Sequence, residues 1–349
     1  MARVDVIMPV RNGEAFVEDA IRSMMVQTER DWRLIVLNHA STDATGEIID
    51  RLGGEDRRVQ RQDCGPAMTL SDVRNAGFDQ SDAPFVLLHD ADDLSVPERI
   101  AVLLAEMERL PHLVLVGSNY VTVDTQLKPL GTRKLPSDPD RLAVAALFSN
   151  PIAQPTVMLR RLALDKAGAR YGKTFLTPSG GPAPMTVATL VEDYLMFGQL
   201  AIEGLCATVA EQLVLYRWHG GNTSSVGFQR QMELSLDISR HLMALVAATR
   251  GVAYCDPTPF CNHGARLEPA SGADLAEQWP PLRQAILAAF GDTPGVRREL
   301  AFRSVLGTRS LPAMLARFAR FSLSHRPDSD ELATIRAYAA KTLRRRRAV

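Results

Sequence analysis

The sequence is short of several things that would have fixed its class at once. Four cysteines, Cys64, Cys206, Cys255 and Cys261, in 349 residues are too few and too irregularly spaced for a disulfide framework, so free thiols in a reducing cytoplasm are expected. Charge of one sign is missing too: 40 Lys and Arg balance 40 Asp and Glu, which removes the basic excess that a nucleic-acid partner demands, and no nucleic acid is expected. Apolar runs such as Leu242 to Ala248 fall far short of the roughly 18 residues that cross a bilayer. The opening MARVDVIMPV enters a strand-like pattern immediately, so no signal peptide is read. Repeats and low-complexity tracts are absent. No Gly-rich phosphate loop follows the first strand, since VRNGEAF is neither that nor G-x-G-x-x-G; sugar-nucleotide-forming nucleotidyltransferases, dehydrogenases and epimerases are set aside.

What remains is a composition with 46% hydrophobic and 23% charged residues, enough for one large domain or two smaller ones. From Val4 to Ser118, short β-rich runs alternate with stretches of helical period, the pattern of βα units on a mostly parallel sheet. Val4 to Pro9, Trp32 to Leu37, Pro84 to Leu88 and Leu113 to Val116 are the strand candidates. Phe16, Ala20, Ile21, Met24 and Met25 recur at helical spacing, which predicts a helix over Glu14 to Gln27. Ser41-Thr42-Asp43 is placed to cap the next helix, and Ser95 to Glu98, with Pro97, has capping-box spacing before Ile100, Leu103, Leu104 and Met107. Lys128 to Pro139 and Thr177 to Pro184 read as loops around a cleft. From Gln229 onward helical period returns without strand alternation, so a helical C-terminal extension is expected, closed by the basic run from Lys341 to Arg347.

In an open parallel sheet ligands bind beyond the carboxyl ends of the strands, and polar residues collect there: Pro9 to Asn12, Asn38 to Asp43, and Asp90-Ala-Asp92-Asp93. Three carboxylates within four residues repel one another unless a cation or solvent compensates them. Mn2+ or Mg2+ suits such hard oxygen ligands and borrows others from substrate phosphates. The plainer alternative is a solvated acidic loop before the helix at Pro97. Cys255, Cys261 and His263 lie close in sequence, but without a second pair of ligands they read as a loop rather than a zinc site.

The segment IMPVRNGEAFVEDAIRSMMVQTERDWRLIVLNHASTD resembles the opening of glycosyltransferase family 2, an inverting group with the GT-A fold. Further segments follow in the family's order. LSDVRNAG resembles its Ala-Arg-Asn-x-Gly segment, VLLHDADD its Asp-x-Asp strand end, NPIAQPTVMLRR its acceptor-side segment, VEDYLMFGQL its Glu-Asp helix and YRWHGGNTSS its closing Tyr-Arg-x-His segment. The resemblance covers about residues 3 to 225 and implies an α/β GT-A fold, Rossmann-like, with flanking helices. The expected organisation is a catalytic domain over 1–227, with a nucleotide-sugar half over 1–124 and an acceptor-side half over 125–227, followed by a mostly helical region over 228–349.

The resemblance implies roles residue by residue. Asp90 and Asp92 fall at the metal–diphosphate site with Asp92 the direct ligand, and His219 at a metal or diphosphate contact. Asp93 and Glu192 fall on the acceptor side. Pro9, Arg11, Glu14 and Arg74 match positions that shape the nucleoside pocket, although Arg11 is as readily a solvated surface arginine. Asn38 and His39 depart from the two acidic residues usual there, so a base other than uracil enters consideration; His39 is as readily a structural loop histidine. Asp193 matches the base that takes the acceptor proton, or else forms with Glu192 an acidic pair at a helix N-terminus. Arg217 and the hydroxyls of Thr223, Ser224 and Ser225 would close a lid over the phosphates. The implied activity is metal-dependent transfer of a sugar from a nucleotide-diphosphate donor to a saccharide or lipid-linked acceptor in bacterial surface polysaccharide or glycolipid synthesis. A cytoplasmic protein is expected, with the basic C-terminus either touching the inner face of the membrane or solvated. A catalytically inactive nucleotide-sugar-binding or scaffold protein of the same fold is the alternative.

Overall fold

The structure is a computed structural model that describes residues 2–222, 227–262, 272–308, 310–328, 331–336 and 338–340. Its first half alternates strand and helix in the expected order: β1 (Val4–Val10), α1 (Val17–Met25), β2 (Trp32–His39), α2 (Thr45–Glu55), β3 (Val59–Cys64), α3 (Leu70–Gln80) and β4 (Phe85–Leu88). A two-residue β5 (Leu94–Ser95), α4 (Arg99–Arg109), β6 (Leu115–Val123), β7 (Pro129–Arg133), α5 (Pro139–Ala145), β8 (Met158–Arg160), α6 (Arg161–Ala167), α7 (Glu192–Ile202) and β9 (Cys206–Arg217) complete the sheet and its cover. The nine strands run in the order β3-β2-β1-β4-β8-β6-β9-β5, with β7 beside β6. Pairings among β1 to β4 are parallel, β8 is antiparallel to both its neighbours, and β9 runs parallel to β6. The sheet is thus mixed, with a parallel first half.

Buried clusters occupy both faces of the sheet. Ile7, Leu37 and Leu88 point to one side, while Val6, Met8, Leu34 and Leu87 point to the other. Strands covered on both faces have no reason to alternate polar and apolar residues, and β1 and β4 are accordingly near-continuous apolar runs. α3 lies so close over β1 and β2 that a Cβ at Gly77 would stand 2.5 Å from Ile7 Cγ2 and 2.9 Å from Leu37 Cδ1. Glycine there sets the depth at which this helix, and Arg74 on it, sits above the strand ends.

Several local expectations give way to longer-range contacts. α1 begins at Val17 rather than Glu14, because the amides of Phe16 and Val17 turn back onto Gly13 O, both at 2.9 Å. The capping box at Ser95 to Glu98 does not form: Ser95 lies in β5, where its hydroxyl accepts from Arg99 at 2.8 Å, and α4 starts at Arg99 with the amide of Ile100 donating to Gln27 Oε1 at 3.0 Å. Asp43 does meet the start of α2, accepting from the amide of Thr45 at 3.1 Å. The stretch Lys128 to Pro139, expected as a loop, contains β7. Among the described residues no helix is long and apolar enough to cross a membrane.

After β9 the described residues include four long helices: α8 (Phe228–Arg250), α9 (Gly272–Phe290), α10 (Pro294–Leu306) and α11 (Leu311–Ser324). Leu242 from α8, Ile286 from α9 and Leu300 from α10 belong to the same buried cluster as Ile7 and Leu88, so these helices thicken the sheet's cover. Arg141 on α5 is clamped by Glu299 on α10 at 3.0 Å and by Glu331 at 2.7 Å. The expected boundary after residue 227 adjoins residues 223–226, outside the described residues.

Candidate active site

The loops after β1, β2 and β4 and the start of α7 meet at one end of the sheet and enclose a cavity of about 850 Å³. Pro9, Arg11, His39, Arg74, Asp90, Asp92, Glu192, Asp193 and His219 all line it. The first two loops are fastened to each other. Asn12, whose φ of 51° lies in the left-handed region that Asn tolerates, accepts from the amide of Thr42 at 2.8 Å, and its own amide donates to Ser41 Oγ at 3.0 Å.

The remaining candidates stand behind the cavity wall. Glu14 accepts from the amide of Ala44 at 3.0 Å, which places it at the start of α2 rather than in the cavity. Asn38 donates to Asp63 at 2.7 Å, while its Oδ1 and the Nε2 of His39 are buried without a partner. Asp93 is fully buried and accepts from the backbone amide of Arg217 at 2.8 Å. The Arg217 guanidinium is buried as well, stacked 4.6 Å from the Phe16 ring centroid and paired with Asp19 at 3.1 Å. These two residues staple the end of β9 to the acidic turn, which explains how the turn is held open. Thr223, Ser224, Ser225, His263 and the run from Lys341 to Arg347 lie outside the described residues. Cys261 is buried, its thiol within 3.5 Å of Ser239 Oγ.

The electrostatics of the cavity are governed by carboxylates under little solvent. Arg74 lies between them, in a short contact with Glu192 and 3.6 Å from Asp90. Burial works against its charge most strongly, yet Glu192, Asp90 and Asp193 outweigh that and keep its pKa above the ordinary value. One guanidinium does not compensate all of them. The Asp90 carboxyl is pushed up to about 6 by burial and by Asp92 and Glu192, against the pull of Arg74. Asp193 is pushed up to about 7, by burial first and then by Glu192. It is half-buried at the first turn of α7, and its Oδ2 accepts from Asn150 Nδ2 at 2.9 Å.

Asp92 sits opposite, bonded through Oδ2 to His219 Nε2 at 3.0 Å. The amide of Gly221 donates to His219 Nδ1 at 3.1 Å, so Nε2 carries the proton and donates to Asp92. In this arrangement His219 orients the carboxylate. Among the described residues no group of three or more His, Cys, Asp or Glu side chains is gathered to hold a metal ion unaided. The donor set fits a hard divalent cation that completes its shell with phosphate oxygens: two carboxylates, one of them with its charge left uncompensated enough to raise its pKa.

Sequence reasoning passed over Asn150, which fixes Asp193, and Asn222, which donates to Arg217 O at 3.1 Å and accepts from the amide of His219 at 2.6 Å. Both lie inside segments read as family motifs, NPIAQPTVMLRR and YRWHGGNTSS. Phe16, whose ring lies 4.9 Å from that of His219, was read only as part of the α1 stripe.

A mixed sheet with helices on both faces, parallel strands ending in an acidic cleft and extra helices at the C-terminus is the GT-A architecture. The chain superposes with a TM-score of 0.53 on a crystal structure of a fragment of S. aureus TarS in complex with UDP-GlcNAc, covering 93% of this chain and 91% of that one; at 16% identity the likeness is one of fold. Residues 5–167, a stretch that carries Arg74 and the acidic turn, match the model of glycosyl transferase family 2. The chain is also similar to an uncharacterized glycosyltransferase of Haemophilus influenzae, 26% identical over 245 residues that make up 68% of this chain and 72% of that protein. To an uncharacterized glycosyltransferase of Rickettsia bellii it is 29% identical over 160 residues, 45% of this chain but only 22% of that protein.

Proposed function

We propose that the protein is an inverting glycosyltransferase that moves a sugar from a nucleotide-diphosphate donor to an acceptor hydroxyl, with Asp193 as the base. One observation carries the reading: a half-buried carboxyl with its pKa raised to about 7, oriented by Asn150, faces the same cavity as Asp90, Asp92 and Arg74. A general base works best when its pKa lies near the working pH. The acceptor proton passes to Asp193 while the acceptor oxygen bonds to the anomeric carbon; the bond from that carbon to the diphosphate breaks, and its electron pair leaves with the nucleotide. Asp92 and Asp90 would hold Mn2+ or Mg2+, which would supply charge neutralisation for the leaving group. Arg74, in contact with Glu192 and 3.6 Å from Asp90, offsets part of their negative charge. Pro9, Arg11 and His39 form the nucleoside end, where the unpartnered Nε2 of His39 supplies a hydrogen-bonding group suited to a base other than uracil.

The acceptor in this reading is a saccharide or lipid-linked saccharide of bacterial surface polysaccharide or glycolipid synthesis, met at the cytoplasmic face of the membrane. Peripheral contact there is supported by α11, which has Arg317 and Arg320, no acidic residue, and exposed Leu315 and Leu323. Equal sedimentation with anionic and neutral vesicles would remove that contact. A catalytically inactive nucleotide-sugar-binding protein is the second reading, favoured by Asn38 and His39 in place of an acidic pair. A panel of UDP- and GDP-sugars with Mn2+ separates the two: the transferase cleaves at least one of them, and the inactive protein binds without cleaving.

A further inference from the structure

A second cavity, of about 330 Å³, lies on the other side of Asp193. It shares Leu135, Asn150, Leu190, Asp193 and Gln231 with the larger cleft, so the proposed base stands in a wall common to both. The opposite walls differ in origin. The large cleft is lined by the loops after β1, β2 and β4, whereas the small one is closed by Phe228 and Ser235 of α8 and by Glu299, Phe302 and Arg303 of α10. Nothing in the donor chemistry requires these helices to reach Asp193.

We propose that this cavity is the acceptor subsite and that it takes a neutral saccharide, which makes the C-terminal helices the part of the chain that selects the acceptor. The assignment rests on the transferase reading of Asp193 and adds the substrate class. Inversion requires the acceptor hydroxyl to approach from the side opposite the leaving diphosphate, and a base shared between two cavities satisfies that with the donor in one and the acceptor in the other. The lining sets the class. Its bases, Lys134, Arg141 and Arg303, face the carboxylates of Asp193, Glu299, Asp328 and Glu331, three against four. Arg141 is paired with Glu299, Asp328 and Glu331 at 2.7 to 3.0 Å, and Arg303 with Glu299 at 2.7 Å. Cations already matched by carboxylates leave no surplus for a phosphate, whereas Asn150, Gln231, Ser149 and Ser235 beside the rings of Phe228 and Phe302 offer hydroxyl partners and apolar ring faces. The volume lies at the low end of the range for small-molecule sites.

The test uses the full chain and ligand-observed NMR with methyl glycosides and neutral disaccharides (maltose, cellobiose, lactose), with and without UDP or GDP. At least one neutral sugar is expected to bind, and to remain bound when the nucleoside diphosphate is added. Ser235→Phe, which fills the cavity from α8, should weaken that sugar at least tenfold with the unfolding midpoint unchanged, and Phe228→Ala, at an exposed position, should weaken it several-fold. The proposal is overturned if no neutral sugar binds, if a nucleoside diphosphate displaces it, if Ser235→Phe leaves its affinity unchanged, or if a sugar phosphate binds tenfold more tightly than its neutral parent. Nucleotide-sugar cleavage is scored separately: sugar binding lost in Ser235→Phe without cleavage of any donor upholds the saccharide site and sinks the transferase reading.

Discussion

Replacing Asp193 with Asn tests the catalytic and the electrostatic reasoning together. Asn has nearly the same shape, and its Oδ1 can still accept from Asn150 Nδ2, so the change removes a charge and little else. If Asp193 takes the acceptor proton, turnover should fall by about 10² to 10⁴-fold, the ordinary contribution of a positioned base, while donor affinity stays within a few-fold. The wild-type kcat should climb with pH up to about 7 and level off above it, and the variant should lose that limb.

Stability should move the other way. Asp193 has its folded-state pKa raised from 3.8 to about 7. The folded state therefore holds this proton more tightly than the unfolded chain, and the associated stability is fully present below pH 3.8 and is lost as pH rises through about 7. At roughly 1.4 kcal/mol per unit, the ionised carboxylate costs about 4 kcal/mol at pH 8, an upper figure because Glu192 and Arg74 share the interaction. Urea denaturation of the chelated protein should show Asp193→Asn more stable than wild type at pH 8, and the two nearly equal at pH 4. A gap of the same size at both pH values would refute the burial argument. Near-native turnover in the variant would remove Asp193 from its role.

Three further outcomes are expected. Arg74→Met leaves Glu192 and Asp90 facing each other without their shared cation, and should lower unfolding free energy by roughly 3–5 kcal/mol at pH 8 but by much less at pH 5; denaturation at the two pH values measures it. Asp92→Ala should weaken Mn2+ binding in the presence of a nucleoside diphosphate by at least about tenfold, read by titration calorimetry, with nucleoside binding in the absence of metal within twofold of wild type. Gly77→Val forces side-chain atoms against Ile7 and Leu37 and should destabilise by about 1–3 kcal/mol, with a matching drop in nucleotide affinity as α3 and Arg74 are lifted from the strand ends.

The elements that were legible from the sequence are those whose cause lies in neighbouring residues. β1, β2 and β4 are buried on both faces and announce themselves as near-continuous apolar runs, and α1 carries its stripe in a single segment. β9 escaped because Ala210, Glu211 and Gln212 at its middle are exposed, at the register shift opposite Asn119, which breaks any periodic signal. β8 has three residues and exists only because β4 and β6 flank it. The same distinction separates the site residues. Pro9, Asp90, Asp92 and Asp193 could be picked out because strand ends and motif order mark them. Asp93 and Arg217 could not be told from cavity residues, since what removes them from the cavity is distant in sequence: Asp93 is bonded to the Arg217 amide across 124 positions, and the Arg217 guanidinium is held by Phe16 and Asp19. The start of α4 makes the same point: Ser95 had the right type and spacing for a cap, but its hydroxyl is taken by Arg99, and the side chain that meets an early amide of α4, that of Ile100, is Gln27, 73 residues away. A side chain's type and local spacing show what it can bond, and only the packed sheet shows which partner arrives first; in this cleft the residues that hold the acidic turn open were therefore indistinguishable, in sequence, from those that face the ligand.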